Sequence, residues 1–251
     1  MNIDGITCVV TGGAQGLGAA TVRELRDRGA RVGIIDMAPA APVAFASDAD
    51  VHYVNASVTD EGAVKEGLKE ISQALGPIRA CVNCAGVFFS AATVSEAGVH
   101  PLPDFRRVMD VNVNGTFLVL SEAAALMTRN DGLGPDGERG VIVNVASIRA
   151  FDGGAGGMAY AASKGAVHAM TISLARDLAP HGIRACTVAP GIMNTEMFHT
   201  LTPEAIAGHV SKVEFPKRLG DPAEFGHAVC FMIENRYMNG ETLRVDAAMR
   251  V

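Results

Sequence analysis

Tryptophan is absent from this 251-residue chain and aromatic residues make up only 5% of it, so packing falls to Ala, Val and Ile. Basic residues are in the minority: 21 Lys and Arg stand against 27 Asp and Glu, a net charge of −6. That balance offers no electrostatic footprint for a nucleic-acid backbone or an anionic membrane, and neither is an expected partner. No apolar run approaches the ~18 residues of a membrane span. The opening stretch, Met1-Asn2-Ile3-Asp4-Gly5, lacks the basic n-region of a signal peptide and the Arg-rich pattern of a transit peptide. The expected location is cytoplasmic, unless a presequence has been removed. Cysteines number five (Cys8, Cys81, Cys84, Cys186 and Cys230), an odd count that suits a reducing compartment. Cys81 and Cys84 spell C-x-x-C, yet no second pair completes a zinc site and the first thiol lies in a strand-like run, so buried thiols are expected. The seven histidines show no ligand spacing, and no metal is expected.

What is present is enough apolar material for a sizeable core: 49% hydrophobic residues, 19% charged, and 28 glycines. Disorder, collagen and a disulfide mini-scaffold are excluded. Short apolar runs at 6–11, 31–36, 51–55, 79–83, 141–146, 184–189 and 242–245 read as strands. Several are apolar throughout, as in a parallel sheet covered on both faces. Between them lie helical stretches near 17–28, 60–75, 104–128, 157–179 and 221–234. Asp221-Pro222-Ala223-Glu224 reads as an N-cap, a proline at N1 and a glutamate at N3, and Thr59 precedes an acidic first turn. Gly29, Gly76 and Gly182 stand just past helix ends. The pattern predicts an α/β, doubly wound parallel sheet in a single domain over 1–251. Loops are expected at 37–50, 87–103 and 130–139, and 191–219 reads as a substrate lid because Met193, Met197, Phe198, Leu201 and Phe215 alternate there with polar residues.

Thr11-Gly12-Gly13-Ala14-Gln15-Gly16-Leu17-Gly18 follows the first strand and opens the first helix. Gly12 permits the tight turn, Gly16 a close backbone approach to a pyrophosphate, and Gly18 close helix–sheet packing. The helix N-terminus offers free N–H groups to the phosphates. Asp36 ends the second strand, where a carboxylate accepts hydrogen bonds from ribose hydroxyls and repels a 2′-phosphate. The expected cofactor is NAD. Downstream, Tyr160 and Lys164 lie four residues apart on one helix face, and Ser147, thirteen residues before Tyr160, ends a strand run. A phenol beside an ammonium is a candidate base, and a strand-terminal hydroxyl can hold a substrate oxygen.

The chain resembles the short-chain dehydrogenase/reductase family over essentially its whole length. The residues that carry the likeness are T-G-G-x-x-G-L-G at 11–18, N-C-A-G at 83–86, Asn112 in D-V-N-V-N-G, Ser147, Y-x-x-x-K at 160–164 and P-G at 190–191. The resemblance implies a Rossmann fold, a homotetramer and a catalytic tetrad of Asn112, Ser147, Tyr160 and Lys164. It implies cofactor contacts from Gly12, Gln15, Gly16, Leu17, Gly18, Asp36, Ser57, Val58, Cys84, Ala85, Gly86, Tyr160, Lys164, Pro190, Gly191, Met193 and Thr195. In that scheme Tyr160 takes the hydroxyl proton as hydride leaves the same carbon. Ser147 holds the oxygen, Lys164 lowers the tyrosine pKa and binds the ribose, and Asn112 positions a water. One departure stands at Ser57, where relatives carry an aspartate toward the adenine.

Longer stretches, among them G-V-I-V-N-V-A-S-I, A-R-D-L-A-P-H-G-I-R and R-L-G-D-P-A-E-F, resemble the family's subgroup that oxidises 3-hydroxyacyl-CoA thioesters in fatty-acid metabolism. That likeness implies a small-molecule substrate of the acyl-CoA class. Competing expectations are a 3-oxoacyl-[acyl-carrier-protein] reductase, which would need a cation near the phosphate turn, and a hydroxysteroid or other secondary-alcohol dehydrogenase. A scaffold in RNA processing is the non-enzymatic alternative, which the net charge does not support.

Overall fold

The computed structural model describes residues 1–196 and 202–250. Seven apolar runs form one parallel sheet in the order β3-β2-β1-β4-β7-β8-β9. Its strands are β1 (Thr7–Thr11), β2 (Arg31–Asp36), β3 (Val51–Asn55), β4 (Ile78–Asn83), β7 (Gly140–Val145), β8 (Ile183–Pro190) and β9 (Thr242–Val245). A short antiparallel pair, β5 (Val94–Ser95) and β6 (Gly98–Val99), sits apart from it in the 87–103 connection. The reversal of direction between β1 and β4 makes this the doubly wound, Rossmann-like single domain expected from the sequence.

Alternation along each strand sends neighbouring side chains to opposite faces, and helices cover both. On one face Cys8, Val10, Val32 and Val143 pack against Val22 and Leu25 of α1 (Gly16–Asp27) and Phe225 and Val229 of α8 (Pro222–Glu234). On the other, Val9, Ile35, Cys81 and Ile142 meet α2 (Glu61–Leu75), α4 (Thr116–Met127) and Ala175 of α6 (Met158–Leu178). Capping follows the sequence closely. Asp221 and Glu224 form the expected capping box on α8, and Gly29, Gly76 and Gly182 take positive φ past their helices. At α2 the cap is Asp60 itself, whose carboxylate accepts the Ala63 N–H at 3.0 Å.

The helix expected near 104–128 is interrupted. It comprises α3 (Leu102–Met109), a π-helical turn (Asp110–Gly115) and α4. The wider turn carries Asn112 into the interior, where no solvent reaches it. Two further helices, α5 (Arg149–Asp152) and α7 (Pro203–Val210), are too short to stand out as a period. The second lies within the expected lid; Met197, Phe198 and Leu201 of that lid lie outside the described residues.

At the far end of β8, buried Arg184 ties three elements together. Its guanidinium donates to Glu138 Oε1 at 2.8 Å and to the carbonyl oxygens of Met232 and Ile233, both at 2.7 Å, near the end of α8. These carbonyls have no partner within the helix, so the side chain completes the helix terminus while neutralising a buried carboxylate. Replacing Arg184 by Met leaves the Met232 carbonyl unmatched, while Glu138 keeps Arg236 at 3.4 Å and the Met1 ammonium at 3.6 Å, and the Ile233 carbonyl keeps the Met1 ammonium at 2.8 Å. The expected cost is about 1–3 kcal/mol, read as a lower urea midpoint at unchanged m-value, and a loss below about 0.5 kcal/mol would show the network to be dispensable.

Candidate active site

All the chemistry-bearing residues gather beyond the carboxyl ends of the strands, where a doubly wound sheet opens a crevice. The turn after β1 is shaped by two glycines. Gly12 adopts φ +66°, and a Cβ there would stand 2.9 Å from the Ala85 backbone; a Cβ on Gly18 would run into the Gly12 carbonyl oxygen. Side chains at either position would push the turn away from β4 or the helix away from the turn. The first turn of α1 has no acidic residue, and Gln15 at its N-cap makes no side-chain cap, so its N–H groups remain open to an anion. A Cβ on Gly16 would point into the space toward Thr195 and Glu196.

Asp36, at the end of β2, closes this region. One carboxylate oxygen accepts the Ala14 N–H at 2.9 Å and the other the Ala38 N–H at 3.0 Å, which fixes the carboxylate beside the glycine turn. Ser57 shares a hydrogen bond with the Thr59 hydroxyl at 2.8 Å, while Val58 is buried with its side chain over Gly115. Leu17 packs toward the core. The Ala85 N–H donates to the Thr11 hydroxyl at 3.1 Å. Across the sheet, the Gly191 N–H donates to the Val245 carbonyl at 2.9 Å, just after Pro190. Met193 is bridged to Gly220, and the Thr195 N–H returns to the Met193 carbonyl at 2.9 Å. The open N–H groups, the space beside Gly16 and the oriented carboxylate fit a dinucleotide's pyrophosphate and ribose.

Two of the four candidate catalytic residues, Asn112 and Lys164, meet at Gly86, and Tyr160 links Lys164 to Ser147. A Cβ on that glycine would come within 3.3 Å of Asn112 Oδ1 and 3.5 Å of Lys164 Nζ. Asn112 accepts the Val87 N–H at 2.8 Å, and its amide donates to the Val87 carbonyl at 2.9 Å and to Ser163 Oγ at 3.0 Å. Its side chain is therefore fully engaged. Lys164 is buried and donates to the Val145 carbonyl at 2.7 Å, with its nitrogen 5.7 Å from the Tyr160 ring centroid. Burial pulls the Lys164 ammonium down to about 8. The same desolvation pushes the Tyr160 phenol up, with a hydrogen bond from Ser147 and the charge of Arg149 acting against it.

Two participants had no signal of their own in the sequence. Phe88, just past β4, stands edge-on to Tyr160 with centroids 5.2 Å apart. Arg149, on the short α5, donates its backbone N–H to Ser147 Oγ at 3.2 Å and is the cation that acts on the Tyr160 phenol. A lone arginine after a strand reads as a solvated charge until the fold brings other segments around it. The C-x-x-C pair carries no activated thiol: burial pushes Cys81 and Cys84 each up to about 12.

Comparisons with known proteins agree with this geometry. The family model described as short chain dehydrogenase matches residues 7–205. The human "3-hydroxyacyl-CoA dehydrogenase type-2" is 42% identical over 257 residues, covering 100% of this chain and 97% of that protein. The Drosophila melanogaster protein of the same name is 43% identical over 248 residues, covering 97% and 96%. The crystal structure of 3-hydroxyacyl-CoA dehydrogenase type-2 from Mycobacterium avium superimposes with a TM-score of 0.94 at 38% identity, covering 98% of this chain and 96% of that one. With its glycine turn, its Tyr160–Lys164 helix and a likeness running from end to end, this chain belongs to the short chain dehydrogenase family, the oxidoreductases that act on CH–OH groups.

Proposed function

We propose that this protein oxidises the hydroxyl of a 3-hydroxyacyl-CoA to the 3-oxo thioester with NAD, and runs the reverse reduction. The observation that carries the reading is that Ser147, Tyr160 and Lys164 lie at the same carboxyl end of the sheet as Asp36 and the open N-terminus of α1. The names of its relatives support the thioester.

When bound, NAD supplies its nicotinamide C4 as hydride acceptor. Gln15, Gly16, Leu17 and Gly18 would hold the pyrophosphate through backbone N–H groups, Gly12 would shape the turn beneath it with its own N–H on the Ile35 carbonyl at 2.9 Å, and Asp36 would accept from the adenosine ribose. Ser57 and Val58 would border the adenine, Cys84, Ala85 and Gly86 would line the floor between, and Pro190, Gly191, Met193 and Thr195 would border the nicotinamide side. Ser147 donates to the substrate oxygen. The Tyr160 phenolic oxygen takes the hydroxyl proton during oxidation and returns it during reduction. Lys164 holds ribose hydroxyls and keeps positive charge near the phenol. Asn112, held in place by its amide's bonds to Val87 and Ser163, positions a water for proton exchange.

The 87–103 connection supports the CoA moiety, its β5–β6 hairpin presenting Val94 and Val99 to solvent. The 191–219 segment closes over the acyl part. Exposed Phe117 on α4 and Ile172 on α6 give the chain an apolar surface for assembly as a homotetramer. No helix among the described residues is long and apolar enough to cross a membrane.

Tyr160→Phe should lower kcat by about 10²-fold or more, the usual worth of a positioned acid–base group, with NAD affinity nearly unchanged. A variant keeping about a tenth of the wild-type rate, some 1.4 kcal/mol lost, would remove Tyr160 as the base. Asp36→Ala should erode the preference for NAD over NADP, measured as the ratio of kcat/KM for the two; an unchanged ratio contradicts the ribose assignment. For the substrate, kcat/KM is compared for acetoacetyl-CoA, its carrier-protein ester and a steroid ketone. Preference for either of the latter by about tenfold, roughly 1.4 kcal/mol of transition-state binding, overturns the CoA assignment.

A further inference from the structure

Arg149 stands beside Ser147 and Tyr160, and among the described residues no carboxylate is bonded to its guanidinium. One of its guanidinium nitrogens is buried and has no hydrogen-bond partner. The nearest carboxylate in sequence, Asp152, is paired with Arg244 at 2.8 Å. A buried donor on a charged group is costly to leave unmatched, so its position demands an explanation.

The fold makes room for this side chain from several directions. Gly154 and Gly157, in the loop leading to α6, lie against the guanidinium, and a Cβ at either would collide with it. Phe88 flanks the charge, its ring centroid 5.8 Å from the guanidinium carbon and 5.2 Å from the Tyr160 ring. The backbone N–H of Arg149 is bonded to Ser147 Oγ, so the cation is rooted two residues from the hydroxyl that holds the reacting oxygen. His209 of α7 also senses this charge: its protonated form is disfavoured by burial and then by the charges of Lys212 and Arg149. The unmatched nitrogen is sealed behind Gly154 and Gly157, while the side chain as a whole is only partly buried, so its remaining N–H groups beside Phe88 form half of an anion site that a ligand can complete.

We propose that Arg149 binds an anionic oxygen group of the substrate, a carboxylate or a phosphate, while the reacting hydroxyl lies between Ser147 and Tyr160. The inference rests on the reading of those two residues as the hydroxyl-binding pair, and it does not depend on the thioester. Arginine suits the task because its planar fork pairs with both oxygens of a carboxylate or with a phosphate. Two sources fit the chemistry: a carboxylate on a hydroxy acid, or the phosphates of the CoA carrier.

Matched pairs separate them. Wild-type protein and Arg149→Met are compared on acetoacetate against methyl acetoacetate, and on acetoacetyl-CoA against S-acetoacetyl-N-acetylcysteamine, which lacks the phosphates. The quantity read is the charged-to-neutral ratio of kcat/KM within each pair. In one pair that ratio should fall by about tenfold or more in the variant, as expected for a charge-assisted hydrogen bond, and Arg149→Lys should restore part of it. A fall in the first pair assigns a carboxylate, and a fall in the second assigns the phosphates. Calorimetry of acetoacetate and its methyl ester binding to the NAD-loaded protein gives a readout independent of turnover. If Arg149→Met slows both members of each pair equally, the side chain acts only on Tyr160 or on the fold, and the anion site is overturned. Unchanged ratios in both pairs, with unchanged calorimetric affinities, overturn it as well. Turnover of acetoacetate with no turnover of either thioester would defeat the CoA reading while leaving this one to be judged on the first pair.

Discussion

The amide of Asn112 holds three elements together: the chain leaving β4 at Val87, the π-helical turn that carries the asparagine, and α6 through Ser163. An amide buried among apolar helices is tolerable only with its donors and acceptor engaged, and here they are. Because α6 also carries Tyr160 and Lys164, this contact sets the depth at which phenol and ammonium sit relative to the sheet edge. Loosening it would move both groups relative to Ser147, which is fixed by β7.

Burial at that edge acts on the two titrating groups in opposite directions, raising the phenol and lowering the ammonium, so both are pressed toward their neutral forms. Spacing alone suggested that Lys164 would be the cation that lowers the phenol. In the folded chain the opposing pull on the phenol comes from Ser147 and Arg149, while Lys164 is turned toward the Val145 carbonyl. Two cations therefore stand near Tyr160: Lys164, 5.7 Å from the ring centroid, and Arg149, whose charge acts on the phenol.

Much of this organisation was legible in the residues. Fully apolar runs marked the buried strands, and the Asp221–Glu224 cap and the glycines after helices marked their limits. Asp36 could be placed because the end of a second strand beside a glycine turn is fixed by topology. The π-helical turn was hidden, since one widened turn barely disturbs a 3.6-residue period and Asn112 drew notice only through family resemblance. Helix α5 and the β5–β6 hairpin are too short for any periodicity. Arg149 was invisible for another reason: Phe88, Gly154 and Gly157 define its surroundings, and only the tertiary fold brings Phe88 to it.

The pairing of Met193 with Gly220 joins the two ends of the segment between them, with the Asn194 N–H donating to the Gly220 carbonyl at 2.8 Å and the Gly220 N–H to the Ile192 carbonyl at 2.9 Å. A segment pinned at its base passes little of its own variation to the sheet. Doubling the length of such a loop costs only about 0.6 kcal/mol in closure entropy. Insertions and deletions between Thr195 and Val213 would leave the register of β8 and β9 intact, while Val213, buried with Ile148 and Met249, and the Glu214 N–H on the Ala247 carbonyl anchor the rest of the segment. The bridge thus makes this stretch the place where descendants of one scaffold can diverge in what they accept, while the machinery beneath them is inherited unchanged.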